Sequence, residues 1–463
     1  MKELLIRNGT LVTMDAANTI ISDGALLIRD GRIAAIGRSG ELAGEYPTTP
    51  VFDAKGKAVL PGLIDAHTHI AMVPFRGLIH DRRDILYNVV WPVETSLTAE
   101  DCYHLARLGA LEALKAGVTC VADHYFFMDS IAAAVTETGI RGYLGQTVME
   151  MGGPLTGKDQ LASGFAFFEK WRDRHERIVP VLAPHAPDTV SPVWLREMKA
   201  FATKRGTVLH LHLAQTKWEV GKVRELYGKT PVRLLRDEGI LGPEVVAAHC
   251  IYLDDAEITM MAAAGAGAVY CPSTHAFSGK IAPVIPMLDK GVRVGIGTDY
   301  VAENDDRNLL EEMRLATMLQ KVVSGDPEAL PTGEVVNMAA RINPSLFGAA
   351  DRLGTLEAGK AADIIILNLD TPRMVPLTNT INNIVYAASE ADIETVLVGG
   401  DFVIRDRVVL SADEAEIIAA ARRTCASLLQ RALTKQPALQ SYLDRHVYEA
   451  IINPAPKTKE GEQ

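Results

Sequence analysis

The chain has 463 residues, 48% hydrophobic and 23% charged, the balance of an ordinary globular enzyme with room for one large domain and a smaller companion. Its formal net charge of −11 argues against a nucleic-acid partner and fits a small neutral or cationic ligand. No apolar run reaches the roughly 20 residues of a membrane span, the first residues are charged too soon for a secretory leader, and the five cysteines are scattered without CxxC spacing, so a cytoplasmic chain without disulfides or a thiolate zinc site is expected.

Residues 1–57 alternate and turn like a small antiparallel sheet. Ala25–Arg29 and Arg32–Gly37 form a hairpin around Asp30-Gly31, which supplies two positive-φ turn positions. The same pattern returns at Ala362–Leu367, Val396–Gly400 and Phe402–Leu410, so 1–57 and 359–420 are expected to make one discontinuous β-sandwich domain.

Between them, residues 58–358 alternate short apolar strands with helical stretches. Ala58–His69 reads as one buried strand entering through Pro61-Gly62. Thr98–Asp101 resembles a capping box and opens a helix with Leu105, Leu108, Leu111 and Leu114 as its stripe, stopped by Gly117. Further strands are expected at Val118–His124, near Arg141–Thr147, and at Val179–Ala183, Thr207–Ala214, Val245–His249, Gly267–Cys271 and Val292–Thr298. Eight strands without a Gly-x-Gly-x-x-Gly turn favour a (β/α)8 TIM-type barrel over an open sheet. Residues 421–463 are assigned to a C-terminal helical segment and a tail, frayed beyond Pro454.

Barrel enzymes place their chemistry at the carboxyl ends of the strands, and four strands here end in metal-binding types. Period-two alternation puts Asp65, His67 and His69 on one face of the first strand. On a later strand Val208, His210 and His212 share a face, with His212 nearest the end. His249 tips the apolar strand Ala247-Ala248-His249, and Asp299 ends Val294-Gly-Ile-Gly-Thr-Asp. Three histidines with one aspartate suit a divalent ion, zinc first, with iron, cobalt, manganese or nickel as alternatives.

Pro61-Gly-Leu-Ile-Asp-Ala-His-Thr-His69, His212-Leu-Ala-Gln-Thr216, Ala247-Ala-His-Cys250, Gly295-Ile-Gly-Thr-Asp299 and Leu353-Gly-Thr-Leu-Glu-Ala-Gly-Lys-Ala-Ala-Asp363 resemble the amidohydrolase superfamily, in its methylthioadenosine/S-adenosylhomocysteine deaminase and triazine chlorohydrolase branch. The resemblance implies His67, His69, His212 and Asp299 as ligands of one metal, Asp299 as proton acceptor, His249 as the residue steering the attacking water, and a homo-oligomer. It also implies substrate contacts at Glu94 and His185, each of which reads equally well as a solvent-facing glutamate or a capping histidine. His124 and His275 are candidates for the same mouth. One departure stands out: the branch's deaminases carry a proton-relaying glutamate where this chain has Gln215, and an amide cannot pass a proton at neutral pH. The expectation is hydrolysis of a C–N, C–Cl or C–S bond in a small nitrogen-rich heterocycle, urea or carbamate. Conventional deamination of an adenosine- or guanine-like compound, with Glu219 or Asp299 moving the proton, is the alternative, and a non-catalytic scaffold the third.

Overall fold

The computed structural model describes residues 3–78, 80 and 85–443. The N-terminal segment contributes β1 (Glu3–Val12), β2 (Ile20–Arg29), β3 (Arg32–Arg38), β4 (Val51–Asp53) and β5 (Lys57–Pro61). Then come β6 (Leu63–Thr68), β7 (Val118–Tyr125), β8 (Arg141–Val148), β9 (Ile178–Pro184), β10 (Leu209–Leu213), β11 (Val245–His249), β12 (Gly267–Tyr270) and β13 (Arg293–Ile296). The C-terminal segment adds β14 (Ile364–Asn368), β15 (Ile393–Val398), β16 (Asp401–Arg405) and β17 (Val408–Val409).

The terminal strands form one nine-stranded mixed sheet in the order β17-β16-β15-β14-β5-β1-β2-β3, with β4 beside β1. Asp30 and Gly31 turn the β2–β3 hairpin at φ 48° and 78°, as the Asp-Gly pair predicts. The expected sandwich is a single sheet curled on itself. Its hairpin tip closes onto the C-terminal strands, where Ala362 N–H donates to Gly31 O and Gly400 N–H to Ala362 O, both at 2.9 Å. Ile6, Leu26, Ile28, Val59, Ile364, Ile366 and Leu397 fill the fold.

The run from Ala58 to His69 is not one strand. β5 pairs with β14 and β1 in the terminal sheet, and β6 opens the barrel. The chain crosses between them at Gly62, where a Cβ would lie inside the Thr119 side chain and the N–H donates to Asp363 O at 2.9 Å. An apolar run looks the same on either side of such a crossing, so periodicity does not reveal it.

β6 to β13 pair in sequence order as parallel neighbours, the eight barrel strands expected. The helix after the first strand spans Ala99–Lys115, with Thr98 and Asp101 forming a complete capping box. A long helix at Glu414–Lys435 starts before residue 421 and packs on it through Arg107–Glu416 and Arg431–Asp101 ion pairs. The tail beyond Pro454 lies outside the described residues.

The first and last barrel strands meet differently from the others. Between β6 and β13 the backbone makes an isolated bridge, from Thr68 at the end of β6 to Asp299 just beyond β13. Side chains close the rest of the seam. Asn343 Nδ2 donates to Ile64 O (2.5 Å) and Ile296 O (2.8 Å), and its Oδ1 accepts from Ile296 N–H (2.9 Å). Asp65 accepts from Thr298 N–H (3.1 Å) and Thr298 Oγ1–H (2.6 Å). Burial pushes the Asp65 carboxyl up to about 7.

The seam tolerates no added atom at Gly297, whose Cβ would lie 2.7 Å from His67 O. Gly297→Ala is expected to cost about 1–3 kcal/mol, the usual range for overpacking, and to lower the melting temperature. Gly44→Ala, in a helix with open space at that position, is the control and is expected to melt at or slightly above the parent temperature.

Candidate metal centre

Each predicted ligand, and the predicted water-steering His249, lies at the carboxyl end of a barrel strand. His67 is near the end of β6 and His69 follows it, His212 is near the end of β10, His249 ends β11, and Asp299 lies just past β13. All are buried, none more than 6% exposed. One donor atom from each of His67, His212, His249 and Asp299 falls within 4.8 Å of all the others. His69 lies beside this group, its Nε2 3.3 Å from Asp299 Oδ1 and 3.4 Å from His212 Nε2. Five side chains therefore converge, and His249, which the resemblance makes a water-steering residue, stands inside the cluster.

The hydrogen bonds leave these atoms ready for a cation. His69 Nδ1–H donates to His124 O (2.6 Å) and His212 Nδ1–H to His185 O (2.9 Å), so each ring turns an Nε2 lone pair inward. Two lone pairs facing at 3.4 Å repel unless something positive lies between them. Among the described residues, His67 Nε2, both ring nitrogens of His249 and Asp299 Oδ2 have no hydrogen-bond partner. Buried polar atoms without partners are costly, and one divalent ion would satisfy His67 Nε2 and whichever His249 nitrogen faces it, leaving Asp299 Oδ2 for a water. The donor set fits one such ion.

Protonation agrees with that fit. Burial holds His67 and His249 well below the usual histidine range and His212 down to about 4, leaving neutral imidazoles. For Asp299, burial pushes the carboxyl up, but His249, His67 and His69 outweigh it and hold it well below the carboxylate range. His69 is the exception: burial opposes its charged form, but the Asp299 carboxylate overcomes it and raises that group, so a cation binding at its Nε2 would have to displace a proton there.

The strand tips are strained. Ala214, His249, Cys250 and Asp299 adopt φ of 51°, 77°, 53° and 59°, which residues with a Cβ rarely do. Local bonds hold the turns: Asp299 N–H donates to His67 O (2.8 Å) and Cys250 N–H to Leu213 O (2.9 Å). Glu219 accepts from the N–H groups of Ala214 (2.8 Å) and Gln215 (2.7 Å). Burial and the nearby Asp188 push its carboxyl up to about 8. Glu219 is thus a clamp on the turn that presents Gln215, and it does not border the substrate cleft.

That cleft encloses about 480 Å³, part of it open to solvent. His69, His124, His212 and Asp299 border it together with Trp91, Glu94, His185, Gln215 and Tyr300. Glu94, 3% exposed, accepts from Tyr125 O–H at 2.6 Å, and burial pushes it up to about 7. His185 Nδ1 pairs with Thr189 Oγ1 at 2.8 Å. His124 borders the cleft with both ring nitrogens unpartnered among the described residues. His275 does not border it; its ring lies 5.6 Å from that of His249 and 5.1 Å from that of Tyr270. Tyr125 and Tyr300 were not singled out by sequence reasoning, although each directly follows a site residue at a strand end.

The sequence matches the amidohydrolase family over residues 58–403. The chain belongs to the amidohydrolase family. Residues 24–48 of this amidohydrolase also match the imidazolonepropionase-like composite domain of bacteria. It is 39% identical over 431 residues to the 5-methylthioadenosine/S-adenosylhomocysteine deaminase of Desulforudis audaxviator, covering 92% of this chain and 99% of that one. It is 37% identical over 436 residues to the 5'-deoxyadenosine deaminase of Methanosarcina acetivorans, covering 93% and 100%. Among solved structures, a zinc-bound adenosine deaminase from Xanthomonas campestris superposes with a TM-score of 0.89 at 28% identity over 92% and 98% of the two chains. The zinc complex of an atrazine chlorohydrolase from Arthrobacter aurescens superposes with a TM-score of 0.84 at 25% identity over 91% and 100%. The amidohydrolase is a hydrolase of carbon–nitrogen bonds other than peptide bonds, and no helix among its described residues is long and apolar enough to cross a membrane.

Metal analysis of the purified amidohydrolase is expected to find roughly one equivalent of a divalent ion. His212→Ala should lose it. His185→Ala should keep it, because His212 leans on the main-chain carbonyl of residue 185 and not on its ring.

Proposed function

We propose that this amidohydrolase uses one zinc ion, held by His67, His69, His212 and Asp299 with His249 beside them, to hydrolyse a ring substituent from a nitrogen heterocycle. The observation that carries the reading is the convergence of inward-facing imidazole nitrogens on an ionised carboxylate, at the floor of a cleft bordered by Gln215. When bound, such an ion makes water ionisable near neutrality. Asp299 Oδ2, which has no hydrogen-bond partner among the described residues, takes the proton of the attacking water. His249 orients that water, His185 and Glu94 hold the substrate, and Trp91 offers an aromatic face. The Gln215 amide donates or accepts a hydrogen bond at the heterocycle without transferring a proton. A leaving group that departs as an anion, such as chloride or a thiolate, needs less help than ammonia.

A second reading, deamination of a 5'-modified adenosine, is favoured by the full-length similarity to methylthioadenosine and 5'-deoxyadenosine deaminases. In it Glu94 accepts from sugar hydroxyls and Asp299 alone returns the proton to the departing ammonia. We further propose that the enzyme works in the cytoplasm as a homo-oligomer and that its domains divide at the Gly62 crossing, near residue 358 and ahead of the helix that starts at Glu414.

Assays of the zinc-loaded protein on 5'-methylthioadenosine, adenosine, guanine, chlorotriazines, ureas and carbamates separate the readings. With Gln215→Glu, ammonia release is expected to rise by about 10²–10⁴, the usual worth of general acid–base assistance. No change in any activity would sink the argument from Gln215. Glu94, up to about 7, is neutral below that pH and charged above it, so a kcat/KM that depends on its acceptor oxygens should rise with pH through about 7. Glu94→Gln should flatten that limb and leave the metal content unchanged.

A further inference from the structure

His210 is the second residue of β10, fully buried, and the reaction outlined above does not use it. Its Nε2 is 2.9 Å from Nδ1 of His67, with the ring planes at 81°. Its own Nδ1 has no hydrogen-bond partner among the described residues. His69 and His212 each have the Nδ1 proton fixed by a main-chain carbonyl, whereas His67 meets a second imidazole there.

One hydrogen lies between the two facing nitrogens, and either ring can own it. If His210 donates, the proton of neutral His67 is on Nε2, the atom 3.4 Å from Asp299 Oδ1, and that atom is closed to a cation. If His67 donates, its Nε2 lone pair is free. We propose that His210 is a positioning residue whose Nε2 accepts from His67 Nδ1–H and so holds His67 in the tautomer that can ligate the divalent ion. The inference rests on the metal-site reading.

A consequence follows for His210. Its single proton must then be on Nδ1, where it finds no acceptor. A buried N–H without a partner is unfavourable, so ligation at His67 Nε2 stabilises an arrangement that the protein alone would resist. The proton count is conserved: each ring carries one proton in either arrangement, and on both rings it moves from Nε2 to Nδ1. Metal ligands more often lean on a carboxylate or a main-chain carbonyl; a neutral imidazole adds no negative charge behind His67 and leaves more of the ion's charge to act on bound water.

The test is zinc affinity, measured by competition with a chromogenic chelator, for the full-length parent, His210→Gln and His210→Leu. The leucine variant has no acceptor and should bind about 10–100-fold more weakly, the usual effect of removing such a partner. The glutamine variant can present a carbonyl oxygen to His67 Nδ1–H and should stay close to the parent. Should the leucine variant not fold, His210→Asn, whose amide is one bond shorter, carries the same expectation of weakened binding. In ¹⁵N spectra of histidine-labelled, zinc-loaded protein, with the His210 signals assigned by their loss in His210→Gln, both His67 and His210 should carry the proton on Nδ1. Parent-like affinity in the leucine or asparagine variant, or His210 carrying Nε2–H in the loaded protein, overturns the proposal. A parent that binds no zinc overturns instead the metal-site reading on which it rests.

Discussion

The structure depends on how the barrel closes. Neighbouring strands from β6 to β13 share backbone ladders, but the first and last touch through one bridge, and that bridge is Thr68 with Asp299. The residue that completes the barrel is therefore the residue that supplies the carboxylate. Asp299 N–H holds His67 O while Thr68 Oγ1–H and His69 N–H hold Asp299 O, so the main chains of three site residues are tied together before any ligand is considered. Asp65, Thr298 and Asn343 fill the remaining seam with buried hydrogen bonds, which forces the two strands into one register. Positioning on rigid elements explains how imidazoles from β6, β10 and β11 reach one point.

Strain and unsatisfied polarity gather at the same place. Four residues at the strand tips hold left-handed backbone, and His67 Nε2, the His249 ring nitrogens and Asp299 Oδ2 find no partner among the described residues. Scattered through a core, these features would be destabilising. Together they describe a site whose missing interaction is with a cation, and the surrounding fold fixes them in place.

Much of this was legible in the sequence. His67, His69, His212, His249 and Asp299 stand at strand ends because alternation and run length mark those ends. The Asp30-Gly31 hairpin and the Thr98 capping box are local chemistry and needed no tertiary information. What escaped notice depends on distant partners. Asn343 closes the seam from 47 residues beyond Ile296 and 279 beyond Ile64. Glu219 looked like a spare proton carrier and is a clamp, because its two oxygens are taken by backbone N–H groups. His275 was placed at the mouth; it sits on a short helix after β12 with its ring beside that of His249, outside the residues that border the cleft. The crossing at Gly62 was hidden because both flanks are equally apolar.

The most direct measurement is anomalous diffraction at the zinc absorption edge from crystals of the metal-loaded protein. The account predicts a single strong peak about 2.0–2.2 Å from an Asp299 carboxylate oxygen and from Nε2 of His67 and His212. A peak elsewhere in the molecule, with these atoms paired to one another or to water, would contradict it.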